Sequence, residues 1–291
     1  MKKSAPLLIA AILIFAVLMM AWLYNTDFKS SSENANKYIS RLTQRASEQD
    51  LKSMHLLALE YEKGKQVERS FRKAIYWHTK AANLGFGNAQ ADLAKIYSDN
   101  EEFRDEALSS YWFKKASENA DISVRYNLAR HFIDSSDKKI AIRAFKLFLE
   151  ISKSEEFQHA SPLLRKTTMR LIGASYYLGR VTKKDMKLAL LFTKQAASEG
   201  DKFALYNLAR FHELGDGIDK NAVKAGQLYK QAADASLPDA KSRIDDALTK
   251  CIDTDIPITE RLRNCSISVG AGHTEAAVIL KKINEGANIR N

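Results

Sequence analysis

The sequence predicts an all-α chain folded as an α-solenoid of helix-turn-helix repeats, preceded by one transmembrane helix. Three observations carry that prediction. The pentapeptide Tyr126-Asn127-Leu128-Ala129-Arg130 recurs as Tyr206-Asn207-Leu208-Ala209-Arg210. Around it, apolar and small residues return with a period near 36. Ahead of it, residues 7–24 form an uncharged apolar run. A fixed period of this length is the signature of a repeat array, whose units bury their apolar faces on one another.

The first helix of each unit is anchored at Ser53, Ala89, Val124, Thr168, Ala204, Ala240 and Ala276. Four residues on stands a large apolar side chain: Leu57, Leu93, Leu128, Ile172, Leu208, Ile244 and Leu280. The next position is small in Ala58, Ala94, Ala129, Gly173 and Ala209. Eight after the start come Tyr61, Tyr97, Phe132, Tyr176 and His212. These offsets share one helical face, and the small residue admits a neighbouring helix closely.

The second helix is marked by Lys80-Ala81-Ala82, Lys115-Ala116-Ser117, Gln195-Ala196-Ala197 and Gln231-Ala232-Ala233. Three residues before each triplet stand Trp77, Trp112, Phe192 and Leu228, the two tryptophans expected in the core. Ser70, Asp185 and Asn221 are placed as N-caps. Gly64, Gly179, Gly215 and Gly217 fall in the turns within repeats, and Gly85, Gly200 and Gly272 between repeats, where a left-handed residue ends a helix.

Together these residues resemble the Sel1-like repeat, a relative of the tetratricopeptide repeat, over about residues 50–291. The resemblance implies a right-handed solenoid of about six repeats with a capping helix at Tyr38–Gln49. Two places depart from the pattern. The fragment Asp134–Ser161 is degenerate, with an insertion of about eight residues near Ser152–Pro162. The repeat from Ala240 carries Asp245 where a small residue belongs, and the pair of helices around Cys251–Cys265 lacks the glycine turn.

Lys2 and Lys3 precede the apolar run, and no small-x-small cleavage site follows it. Eighteen helical residues span about 27 Å, near the hydrocarbon thickness. An uncleaved signal anchor over residues 1–28 is expected, the alternative being a cleaved signal peptide. Basic residues before it place the N-terminus in the cytoplasm and the body in the periplasm of a bacterium, held at the inner membrane. Residues 29–36 are polar and Ser-rich and read as a flexible linker, leaving 37–291 for the solenoid. In that oxidising compartment Cys251 and Cys265 are expected to pair, the alternative being two buried thiols.

The formal charge of +10 ordinarily suggests nucleic acid or an anionic membrane. A translocated body does not meet nucleic acid, which leaves anionic lipid or an acidic protein surface. No catalytic residues, cofactor or metal site are expected. The histidines His55, His78, His131, His159, His212 and His273 form no metal-spaced motif. His212 occupies the aromatic position of its repeat and reads as core. No nucleophile elbow or phosphate loop is present, and Asp216–Asp219 is too short for a calcium loop.

By the tetratricopeptide resemblance, the first helices line a groove. Offsets 2, 6, 9 and 10 then supply Lys95, Tyr126, Arg130, Arg170, Tyr177, Tyr206 and Arg210 as partner-binding residues, with His55, Glu62, Lys63 and Glu213 beside them. Tyr and Arg are common interface hot spots. The alternative is that the shared pentapeptide reflects common repeat ancestry alone. The repeat architecture, the signal anchor and the missing catalytic constellation together predict a non-catalytic, membrane-anchored periplasmic interaction scaffold. An immunity protein against a secreted antibacterial, phospholipase-type effector fits it, as does an assembly or signalling adaptor of the envelope.

Overall fold

The structure, a computed structural model, describes Met19 and residues 33–288. The apolar run at 7–24 lies outside the described residues apart from Met19. Among the described residues no helix is long and apolar enough to cross a membrane. The chain divides into two compact units, Met1–Val124 and Arg125–Asn291.

The first unit contains α1 (33–47), α2 (Leu51–Lys63), α3 (Phe71–Asn83), α4 (Gly87–Asp99) and α5 (Glu106–Asn119). Residues 33–36, expected in the linker, are helical. Leu42 and Ala46 are the buried positions of α1, four apart on one face. Within this unit α2 packs on α3, α3 on α4 and α4 on α5. Leu57, Ala58, Leu93 and Ala94 are all fully buried, as their offsets require. Trp112 is buried with them, whereas Trp77 is only half-buried, its indole covered by the Lys80 ammonium at 5.1 Å. The long lysine stem shields that ring in place of a neighbouring helix.

The second unit begins within α6 (Ile122–Phe132) and continues through α7 (Lys138–Lys153), α8 (Glu155–His159) and α9 (Pro162–Leu178). There follow α10 (Met186–Ser198), α11 (Lys202–Leu214), α12 (Ala222–Asp234), α13 (Pro238–Ile252), α14 (Ile258–Gly270) and α15 (Thr274–Asn288). The degenerate fragment is thus mostly one amphipathic helix, α7, which buries Phe145, Phe148 and Ile151. The insertion folds as the short α8, pinned by buried Phe157, and Pro162 then opens α9 in its first turn.

The expected caps are in place. Ser70, Asp185 and Asn221 accept from the backbone N–H of Lys73, Leu188 and Lys224. Gly85, Gly200 and Gly272 all have left-handed φ, at 86°, 76° and 99°.

The weak repeat near the C-terminus packs by a different device. Helix α12 meets α14 as well as α13. An ideal Cβ on Gly226 of α12 would lie 1.9 Å from the Ile267 carbonyl oxygen of α14. One on Gly270 of α14 would lie 2.0 Å from the Val223 carbonyl oxygen of α12. The two backbones therefore cross in contact, and glycine on each side makes the crossing possible. Cys251 on α13 and Cys265 on α14 are fully buried and joined as a disulfide, with Cα atoms 4.6 Å apart.

Candidate functional site

Successive repeats enclose a slot, built from offsets 2 and 9 of a first helix, offset 25 on the second helix, and offset 39 on the next repeat's first helix. The slot occurs with three different contents. The repeat from Ala204 fills it with Tyr206, Glu213, Tyr229 and Arg243. The repeat from Thr168 supplies Arg170, Tyr177, Thr193 and Asn207. The repeat from Ser53 supplies His55, Glu62, His78 and Asp92.

The filled slot is a charge-balanced network. The Tyr229 hydroxyl donates to Glu213 Oε2 at 2.7 Å, and Arg243 donates to both Glu213 oxygens. Arg243 also donates to Asn264 Oδ1 at 3.1 Å, and Asn264 donates to the Glu260 carbonyl. Burial pushes the Glu213 carboxyl upward, but the hydrogen bonds from Arg243 and Tyr229 outweigh it and hold the group below its ordinary range. Burial, together with the Glu213 charge and hydrogen bond, raises the Tyr229 phenol strongly.

The slot of the repeat from Thr168 is open. Thr193 is short where Tyr229 is long, and a pocket of about 250 Å³ remains between α9, α10 and α11. Leu178, Phe211 and Leu214 line it with Tyr177, Asn207, Arg210 and Asp216. A Cβ on Gly173 would sit 2.9 Å from Thr193 Oγ1, so the glycine sets the approach of α9 to α10. The Tyr177 ring stands edge-on to Phe211 at 5.4 Å, and its hydroxyl donates to Asp216 Oδ2 at 3.4 Å. Arg210 is exposed and, among the described residues, has no carboxylate partner. An apolar cavity beside an unpaired guanidinium suits an apolar anchor followed by a carboxylate.

Of the residues expected in the groove, Tyr177 and Arg210 share this pocket. Arg130 is exposed on α6 and likewise unpaired among the described residues. The others are engaged within the fold. Tyr126 is 8% exposed and packs edge-on to Phe148 of α7, so it does not present a free ring. Tyr206 is half-buried against Tyr229 at 5.3 Å. Arg170 pairs with Asp201, the N-cap of α11, at 3.3 Å and lies over the Phe203 ring. Lys95 pairs with Asp92 at 3.1 Å. Tyr126 and Arg170 meet partners on later helices, Tyr206 meets the second helix of its own repeat, and Lys95 pairs within its own helix.

The slot of the repeat from Ser53 was missed by motif spacing. His55 on α2, His78 on α3 and Asp92 on α4 each offer one ligand atom, and these atoms lie within 4.8 Å of one another. The separations in sequence, 23 and 14 residues, match no local metal motif. A signal did exist: His78 occupies the inward position that holds Phe113, Thr193 and Tyr229 in other repeats. His212 is half-buried, and burial lowers its imidazole below the ordinary value.

Tandem helix hairpins with small residues at their crossings define a helical-repeat protein. Residues 51–86, 87–121, 168–201 and 202–237, just under half of the chain, match the Sel1 repeat model. Helices α6–α8 and α13–α15 fall between or beyond those stretches for the most part, where the sequence departs from the consensus. The chain is similar to cytochrome c oxidase assembly factor 7 of Xenopus tropicalis, 43% identical over 51 residues, which are 18% of this chain and 22% of that protein. It is also similar to the ERAD-associated E3 ubiquitin-protein ligase component HRD3B of Arabidopsis thaliana. There the identity is 27% over 160 residues, 55% of this chain and 21% of the relative. The matched chain thus spans about a fifth of the length of these curated relatives. Among solved structures, a protective antigen of uropathogenic Escherichia coli displaying an SLR fold superposes with a TM-score of 0.56. It is 21% identical, over 86% of this chain and 52% of that one, a likeness of fold.

Proposed function

We propose that this chain is a non-catalytic protein-binding scaffold, anchored in a bacterial inner membrane by residues 7–24 with its repeats in the periplasm. Its partner is a protein with an acidic contact surface, docking an apolar side chain into the pocket beside Arg210. The observation that carries the reading is that pocket, where a largely apolar lining that includes Asp216 meets an exposed guanidinium with no carboxylate partner among the described residues. The Sel1 repeats support it, since this architecture serves protein–protein interaction. The net charge of +10 supports the sign of the partner. Within this class, neutralisation of a secreted phospholipase-type effector is the specific role we assign, ahead of an envelope adaptor.

The test has two parts. Arg210→Glu should abolish capture of the partner by the purified repeats, while the far-ultraviolet spectrum stays unchanged. Capture that survives this reversal overturns the pocket assignment. Co-expression with the captured partner in the periplasm should relieve toxicity if the role is immunity, and a non-toxic partner overturns that role. A reporter active only outside the cytoplasm, fused after Asn291, checks the topology, and an inactive fusion overturns it.

A further inference from the structure

The slot of the repeat from Ser53 differs in charge from its counterpart. In the later slot Glu213 and Tyr229 face Arg243, which supplies the positive charge. In the earlier slot Glu62 and His78 repeat the same pairing, at the same separation of 16 residues and the same 2.7 Å. His55 and His78 repeat the ring contact of Tyr206 and Tyr229, both at 5.3 Å. At the arginine position, however, stands Asp92. Two carboxylates and two imidazoles therefore converge where the equivalent slot has a guanidinium.

The polar atoms there are incompletely satisfied. His78 is fully buried, and its Nε2–H donates to Glu62 Oε1. That bond leaves the lone pair of a neutral ring on Nδ1, and Nδ1 is buried without a hydrogen-bond partner among the described residues. His55 Nδ1 is likewise buried and without a hydrogen-bond partner, 3.7 Å from Asp92 Oδ2. Lys95 occupies the other oxygen, Oδ1, from the partly exposed rim. Phe86 closes one side, its ring 5.4 Å from that of His55.

We propose that His55, His78 and Asp92 bind one divalent transition-metal ion of the zinc class, with Glu62 orienting His78 from behind. Two imidazoles and a carboxylate suit zinc rather than calcium or magnesium, which take oxygen ligands. A carboxylate behind a ligating histidine is the usual means of fixing its tautomer. Bonds of about 2.0–2.1 Å in a tetrahedron put ligand atoms about 3.3 Å apart. The ligand atoms, now within 4.8 Å of one another, draw in to that spacing when the ion binds. The ion ties α2, α3 and α4 together across the first repeat boundary and leaves one position for water.

The full-length chain, purified without a histidine tag and stripped with chelator, is titrated with zinc by calorimetry and with cobalt by absorption. One equivalent of zinc should bind, and cobalt should give the visible bands of a tetrahedral site. His55→Gln and Asp92→Asn, each verified as folded by circular dichroism, should each lose about 100-fold or more in affinity, and Glu62→Gln about tenfold. Lys95→Ala, which removes the neighbouring ammonium, should not weaken binding. A dissociation constant above about 100 μM, zinc binding unchanged in both ligand variants, or octahedral cobalt bands would each overturn the assignment. Should His55→Gln fail to fold, Asp92→Asn decides alone.

Discussion

Glu213 on α11 accepts the Tyr229 hydroxyl from α12 at 2.7 Å while Arg243 on α13 grips both of its oxygens. Three helices of two repeats are thereby joined through one carboxylate. Removing one member of such a buried pair leaves the other uncompensated. Glu213→Gln should cost about 3 kcal/mol of stability at neutral pH, measured by urea denaturation. The sign of its pH dependence follows from the shift. The folded carboxyl titrates below the ordinary glutamate range of about 4.3–4.5, so its contribution is full above that range and is lost as pH falls through the folded pKa. The variant should therefore show a flatter acid limb below about pH 4.5 than the parent. Parallel acid limbs would remove this carboxylate from the account.

Within the second pentapeptide the three kinds of residue should separate. Leu208→Ala should lower stability by about 2–5 kcal/mol, because Leu208 is buried in the core. Tyr206→Ala should also destabilise, by about 2 kcal/mol, through loss of its packing on Tyr229. Arg210→Ala should stay within about 0.5 kcal/mol, since the side chain is exposed and unpaired among the described residues. Thermal melts of the three variants are sufficient to rank them.

Two glycines test two different constraints. Gly85→Ala meets nothing within 4 Å, so only its left-handed φ of 86° opposes the change, at about 1 kcal/mol. Gly226→Ala drives a methyl group onto the Ile267 carbonyl and should cost about 3 kcal/mol as α12 and α14 are forced apart. Equal losses in the two variants would mean that the helix crossing relaxes freely.

The pairing of Cys251 with Cys265 is checked by alkylation under denaturing conditions. Protein from oxidising cells should stay unlabelled until reductant is added. Reduction should lower stability by roughly 3 kcal/mol in the chain-entropy model for a loop of this size. Immediate labelling of both thiols would refute the pairing.

Much of the fold was legible residue by residue. The offsets of Leu57, Leu93, Leu128 and Ile172 found their buried positions because a helix repeats its faces at fixed intervals. Ser70, Asp185 and Asn221 were legible as caps because capping is decided within three residues of chain. The groove residues were less legible. Tyr126 lost its exposure to Phe148, which stands in a fragment with no consensus to align. Arg170 lost its freedom to Asp201, 31 residues away.

Helical class, period, caps, turn glycines and the resemblance to the Sel1 repeat could all be read from the chain alone, because neighbouring residues or simple periodicity carry them. Tertiary structure alone decided what each inter-repeat slot contains. Offsets 9, 25 and 39 are far apart in the chain and meet only when one repeat stacks on the next. The same three positions then give an ionic network with Arg243, an open pocket with Thr193, or a cluster of His78 and Asp92. The backbone spacing is common to all three, and side-chain length and charge across the packed boundary make the difference.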